Sequence, residues 1–488
     1  MHCVESLEQN AFCGPRRNLG MNPHDQTPTN RRFTRRQVLQ WGSLSALGQP
    51  FLSHALAAGA VGRQFNPGPA KSVILFNLFG GPSHIDMFDL KPQAPANVRG
   101  EFQPISTCLP GVQIGELLPM TAQVMDRMTL IRTYSHKYNS HNPYNVLTGF
   151  DGGSDRENYF AKPNDHPGMG AICQSLDVGR NDVPRYVMMP AYPGWSQALR
   201  RAGPYGGYLG SQFDPLTTVC SPKFATKGEF YKPVLPTGQP ILPSLDELPN
   251  VTSSRLELRK NLLRQVEQRG HAPGATRGTQ SMSSFQEQVF DLLTSPRTRN
   301  AFDLSQESPA TLDRYGRNLW ANSMIVARRL VEAGSTFVVV NWEEADSGNH
   351  WDMHNNVFGM QRVLVPALDR IISATIQDLD ERGLLDETLV VIMGEMGRTP
   401  KVNGKAGRDH WPQCGFALLA GGGIRRGMVL GKTDKQAAYP IDRPVSAGDL
   451  VATIYRQIGV DYSLTVDDLN GRPIHISHGG EPVTEVIG

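Results

Sequence analysis

Along this chain, short unbroken apolar runs alternate with stretches of helical periodicity. Residues 72–78 (Ser-Val-Ile-Leu-Phe-Asn-Leu) are apolar almost throughout and lead into Gly80-Gly81-Pro82, the pattern of a strand buried on both faces and followed by a loop. Residues 315–332 place Leu319, Ile325, Val326 and Leu330 at helical spacing, Gly334 is a natural stop, and residues 337–340 read as the next strand. The unit then repeats: residues 363–382 are helical, Gly383 ends them, and residues 388–393 form another strand. Residues 416–420 predict a further strand running into Gly421-Gly422-Gly423, and residues 447–458 a late amphipathic helix. Alternating helices and apolar strands predict an α/β fold with a mainly parallel sheet flanked by helices.

Two regions fall outside that rhythm. Residues 203–308 are rich in Pro, Gly, Ser and Thr, with only 256–268 and 285–293 clearly helical. They read as an insertion or cap beside the core, because so long a structureless stretch inside a compact domain would be unusual. At the other end, residues 30–60 run from a basic segment through an apolar run at 38–56 to small residues, which is the order of a signal peptide. Thr34-Arg35-Arg36-Gln37-Val38-Leu39-Gln40 resembles the twin-arginine consensus, and Arg31-Arg32 is a poorer pair. Gly42, Gly48, Gln49 and Pro50 interrupt the apolar run, which is too short for a permanent membrane span. Cleavage is expected after Ala57. Residues 1–58 are then an N-terminal extension with its signal, starting at Met1 or Met21, and residues 59–488 the mature α/β domain. The expected location is periplasmic or otherwise exported, with the twin-arginine translocase as a transient partner.

Composition narrows the class. With 39% hydrophobic and 19% charged residues among 488, the chain is an ordinary globular protein with a substantial core, not a disordered one. A net charge of +2 lacks the basic bias of a protein that neutralises many phosphates, so nucleic acid is not an expected partner. The six cysteines show no CxxC or zinc-finger spacing, and Cys108, Cys173, Cys220 and Cys414 fit one or two disulfides as readily as buried small hydrophobes.

Chemistry concentrates after the strands, where ligands bind in open α/β sheets. The first strand is followed by His84, Asp86 and Asp89, and the strand at 337–340 by His350-Trp-Asp352-Met-His354. The strand at 388–393 is followed by Glu395 and Arg398, and then by Arg408-Asp409-His410. A His or Asp in a loop is most often a cap or a local hydrogen-bonder, but three short-reach ligands in an HxDxH run suit a divalent cation. Arg398 and Arg408 are candidates to grip a sulfate or phosphate group, or to pair with the neighbouring carboxylates.

The segments GGPSHIDMFDLKP, YGRNLWANSMIVARRLVEAGSTFVVVNW, HWDMH, GEMGRTPKVNGKAGRDHW and PVSAGDLVATIYRQIGVD resemble the bacterial family called domain of unknown function 1501, over residues 71–476. That family is similar in sequence order to the alkaline phosphatase and sulfatase superfamily, whose members hold one or two divalent cations and attack phosphate or sulfate esters. The resemblance implies metal ligands among His84, Asp86, Asp352, His354, Glu395, Asp409 and His410, with zinc, calcium or magnesium as the ion. It also implies a nucleophile before Leu147-Thr148-Gly149, yet the matching position is Asn139, which cannot act as one. Ser140 stands one place later, and His136 and His141 flank it as candidate ligands or acid/base groups.

Two functions follow as expectations. The first is an exported metal-dependent hydrolase acting on an anionic ester, such as a sulfated or phosphorylated carbohydrate. The second is a non-catalytic, metal-stabilised binding protein for anionic polysaccharide or another cell-surface ligand, which Asn139 favours. An oxidoreductase lacks a GxGxxG after any strand.

Overall fold

The computed structural model describes residues 68–153, 159–180, 182–226, 229, 231–242, 295–343 and 351–488. The expected signal peptide and the helices at 256–268 and 285–293 lie outside the described residues.

Eight strands form one sheet: β1 (Ser72–Asn77), β2 (Met128–Tyr134), β3 (Tyr186–Met189), β4 (Leu216–Thr217), β5 (Phe337–Asn341), β6 (Thr388–Met393), β7 (Gly415–Ala420) and β8 (Met428–Leu430). Their order is β8-β2-β7-β6-β1-β5-β3-β4. The sheet is mainly parallel, as expected: β1 pairs in parallel with both β6 and β5, and β7 alone runs against its neighbours β6 and β2.

Alternation along each strand sends side chains to two helical layers. Ile74 and Phe76 of β1 join a core with α4 (Leu319–Ala333) and α5 (Val357–Glu381). Val73 and Leu75 join the opposite core, with α2 (Tyr144–Thr148), α3 (Met169–Ser175) and α6 (Ala447–Gln457). One further turn of helix, α1 (His84–Met87), follows the loop after β1. The helix expected at 315–332 is two helices, Pro309–Tyr315 and α4. Gly316 and Arg317 take positive φ between them, which frees Asn318 to cap α4 by accepting from the backbone N–H of Trp320 and Ala321. Helix α5 starts earlier than its apolar spacing suggested and runs through Pro366. The described parts of the 203–308 stretch contribute to the main body: β4 adds an edge strand, and Ala301, Phe302 and Leu304 enter the core beside α4. Cys108, Cys173, Cys220 and Cys414 are all free thiols.

Because β1, β5 and β6 are parallel, their carboxyl ends share one edge, and the loops that leave them meet there.

Candidate metal centre

Four side chains from three loops converge at that edge. His141 comes from the loop before α2, Asp352 and His354 from the chain between β5 and α5, and His410 from the chain between β6 and β7. His410 lies on a two-residue ladder in which Gly397 and Arg398 pair with Trp411 and His410. Asp352 is placed by its neighbour Trp351, whose indole is fully buried edge-on against Trp342, which in turn stacks on Trp320.

The geometry selects a cation. His141 Nε2 faces His410 Nε2 at 2.7 Å, and His354 Nε2 faces the same atom at 3.0 Å. Asp352 Oδ1 lies 3.0 Å from His141 Nε2, 3.1 Å from His354 Nε2 and 3.5 Å from His410 Nε2. The far sides of two rings settle their tautomers. His141 Nδ1 donates to Glu395 Oε1 at 2.9 Å, and His354 Nδ1 donates to Asp409 Oδ1 at 2.7 Å. A carboxylate only accepts, so both Nδ1 atoms carry the proton and both Nε2 atoms of the neutral rings present lone pairs. Those two lone pairs face His410, which has one Nε2 proton at most, while Asp352 Oδ1 also accepts from Arg398 at 2.8 Å. One proton does not satisfy two imidazole lone pairs, whereas donors about 2.0–2.1 Å from a tetrahedral ion sit about 3.3 Å apart, close to the spacing here. The residues fit a divalent metal ion.

Without a metal, protons take its place. Burial opposes charge on His141, but hydrogen bonds with Asp352 and Glu395 outweigh it and raise its pKa. The Asp352 contact raises His354 against its partial burial. Burial lowers His410, with charge on His141 lowering it further. Asp352 is itself desolvated, yet its three histidine partners hold it far below the usual carboxylate range.

Glu395 and Asp409 therefore stand behind the cluster as partners of His141 and His354, rather than within it. Glu395 is fully buried and also accepts the backbone N–H of Gly80 at 2.7 Å. Gly80 has φ of +118°, and a Cβ there would lie 2.6 Å from the Asp352 nitrogen, so only glycine lets the β1 loop approach both residues. His136 donates from Nε2 to the Glu395 carbonyl, and burial pushes its pKa down to about 4, so it is neutral.

The first-strand candidates lie elsewhere. His84 donates to the Ala437 carbonyl at 2.8 Å and accepts the Arg398 N–H at 3.4 Å. Asp86 forms a fully buried, two-pronged ion pair with Arg408, both contacts 2.8 Å, and also accepts from Ser83 and Gln361. Arg408 gives its remaining donors to the carbonyls of Val98, Thr399 and Pro400. Arg398, also fully buried, donates to Asp352 Oδ1 at 2.8 Å and to the carbonyls of Gly80, Gly81, Trp351 and Arg408. The structure thus ties both guanidinium groups to protein acceptors, and Arg398 ties the β1 loop to Asp352. Asn139 is exposed and Ser140 buried, and the residue of their loop that enters the cluster is His141. His350 lies outside the described residues.

Glu343, just beyond β5, carries no local signal in the sequence beyond its position after a strand. It is fully buried, accepts from Gly194 N–H at 2.7 Å and from Ser196 Oγ at 3.0 Å, and burial pushes its pKa up to about 7.

A mainly parallel α/β sheet with a His3Asp cluster at its strand ends defines a candidate metalloprotein. The chain belongs to the DUF1501 family, described as a protein of unknown function, whose model matches residues 70–487. No curated protein matches the sequence. Among solved structures, the chain is similar to a phosphonate monoester hydrolase from Silicibacter pomeroyi, at 11% identity over 84% of this chain and 75% of that one, with a TM-score of 0.35. It is also similar to a sulfatase from Pseudoalteromonas sp., at 10% identity over 81% and 68%, with a TM-score of 0.35. A third is a lipoteichoic acid synthase from Listeria monocytogenes, at 10% identity over 86% and 80%, with a TM-score of 0.33.

Proposed function

We propose that this protein is an exported, metal-dependent hydrolase of phosphate or sulfate esters, with the cation held by His141, Asp352, His354 and His410. One observation carries the reading: three imidazole Nε2 atoms and a carboxylate oxygen point at one another at the carboxyl edge of the sheet. A divalent cation supplies Lewis-acid polarisation of an ester oxygen and acidification of water. The protein does the rest. Glu395 and Asp409 fix the tautomers of His141 and His354, as outer carboxylates do in metal sites. Arg398 holds Asp352 in place, and the partly exposed rings of His141, His354 and His410 keep the centre open to a substrate. Ser140, next to His141, is the candidate hydroxyl nucleophile. Attack by water is the alternative, since Asn139 cannot serve. An anionic carbohydrate ester is the substrate class implied by the superfamily resemblance, and export rests on the Arg35-Arg36 signal.

A second reading, a metal-stabilised binding protein without turnover, is favoured by Asn139. Metal content by plasma mass spectrometry, on wild type and His354→Ala, followed by a screen of aryl sulfates and phosphates, separates these. About one or two equivalents in wild type, lost in the variant, with ester turnover, supports the hydrolase. Metal without turnover supports the binder. A folded wild type with no metal overturns both.

A further inference from the structure

Arg201 is 1% exposed, and among the described residues no carboxylate pairs with it. Its charge acts on the buried Glu343 carboxylate, lowering that group's pKa against burial, but a buried guanidinium with no direct ion pair is costly, so its neighbours matter. Nη1 donates to the backbone carbonyl of His141 at 2.7 Å, and Nη2 to Gln197 Oε1 at 2.6 Å. The guanidinium lies 4.6 Å from the ring centre of Tyr159 and 5.2 Å from that of Phe79, and Phe79 also packs against the His141 ring. This cation therefore grips the main chain of one cluster residue and the aromatic wall beside it.

The loop that delivers it is built to hold its shape. Residues 193–201 close on themselves, Arg201 N–H donating to Pro193 O at 3.1 Å and Leu199 N–H to Gly194 O at 2.9 Å. Gly194 has φ of +89°, and a Cβ there would meet Leu199 O at 2.3 Å. The buried Glu343 carboxylate pins the loop's start through Gly194 and Ser196, and is itself held by Asn341 at the end of β5. On the other side, residues 159–161 pair with 200–202. A chain of contacts thus runs from β5 through Glu343 and the loop to His141, the one cluster residue carried by the irregular stretch before α2.

We propose that Arg201 is a positioning residue for His141, and that Glu343 acts with it by anchoring the 193–201 loop, so that a loop remote in sequence sets the strength of the metal site. The proposal rests on the metal centre argued above. It is distinguishable from electrostatics, because removing a cation beside a metal site should tighten metal binding, whereas removing a positioning group should weaken it.

The test is Zn2+ affinity by competition with a chelator, and the visible spectrum of the Co2+-loaded protein, for wild type, Arg201→Met, Arg201→Lys and Glu343→Gln, with apo-protein unfolding temperatures alongside. The expected result is a Zn2+ Kd raised about 10-fold or more in Arg201→Met, in the range seen when partners of ligands are lost. An altered Co2+ spectrum and partial recovery in Arg201→Lys should accompany it, with a smaller change of the same sign in Glu343→Gln. An unchanged or tighter Kd with a wild-type Co2+ spectrum, even at a lower unfolding temperature, overturns the proposal by reducing Arg201 to a structural role. If Arg201→Met does not fold, Arg201→Lys, which keeps the charge and loses the fork, decides on the same criteria, because Glu343→Gln removes a negative charge and weakens cation binding on either account. Absence of Zn2+ and Co2+ binding in folded wild type overturns the metal reading itself, and this proposal with it.

Discussion

His141 and His410, 269 positions apart in the chain, face each other through their Nε2 atoms at 2.7 Å. Two neutral imidazoles at that distance need a proton or a cation between them. His410→Ala and His354→Ala should each lower bound metal from about one equivalent to a small fraction of it while leaving far-ultraviolet circular dichroism unchanged. Full metal retention in both variants, measured after dialysis, would remove these two histidines from the site.

In the proposed metal centre, Glu395 and Asp409 act through the rings they hold. Asp409→Asn keeps the size and loses the charge, and its expected effect is a loss of about 10- to 100-fold in metal affinity. Glu395→Gln should behave alike. If either carboxylate were itself a ligand, its loss would change the coordination number and with it the intensity of the Co2+ bands, whereas loss of an orienting partner shifts the bands only slightly. The geometry calls for affinity to fall further than the spectrum shifts.

The pair Asp86–Arg408 is fully buried, so breaking it from one side leaves an isolated charge. Arg408→Met should destabilise the protein by about 3–5 kcal/mol, and the double variant Asp86→Leu with Arg408→Met should recover much of that. Denaturant titration measures both. Metal content per folded molecule should not change in any of them, which separates this pair from the metal centre.

Acid should loosen a different region. His166 and His478 meet edge-on at 4.5 Å, and burial pushes their pKa values down to about 4 and about 3. The unfolded chain takes up protons at these positions below about pH 6.5 while the folded protein does not, so stability falls as pH drops from about 6.5 towards 4. In His166→Phe combined with His478→Phe, the thermal midpoint should change less over that window than in wild type. Parallel curves would show that the pair carries no acid sensitivity.

Much of this was legible in the sequence because it depended on local pattern. Strand β6 was readable to the residue, since its apolar run is bounded by a glycine loop on each side, and α6 nearly so. The break at Gly316 was not, because the apolar spacing of α4 continues back across it. Asp352, His354 and His410 were visible as ligand types after strands. His141 was visible only as a residue near a missing nucleophile, because what makes it a cluster member is the approach of three other loops. Asp86 and Arg408 looked like site residues for the same reason that Asp352 did: both sets follow strands. Only the fold distinguishes a carboxylate facing a buried arginine from one facing histidines. No local signal marked Arg201 or Glu343, whose partners lie 60 and 149 positions away.

His410 and Arg398 face each other on a ladder only two residues long. Side chains alternate across a ladder, so a slip of one place would present Trp411 where His410 now stands. The loop 399–409 between the two strands is braced by Asn403, which accepts from Gly407 N–H and donates to both the His354 carbonyl and Asp409. Parity of that loop is thus a condition for chemistry: a single inserted or deleted residue would exchange an imidazole for an indole, while a change of two could leave the centre intact.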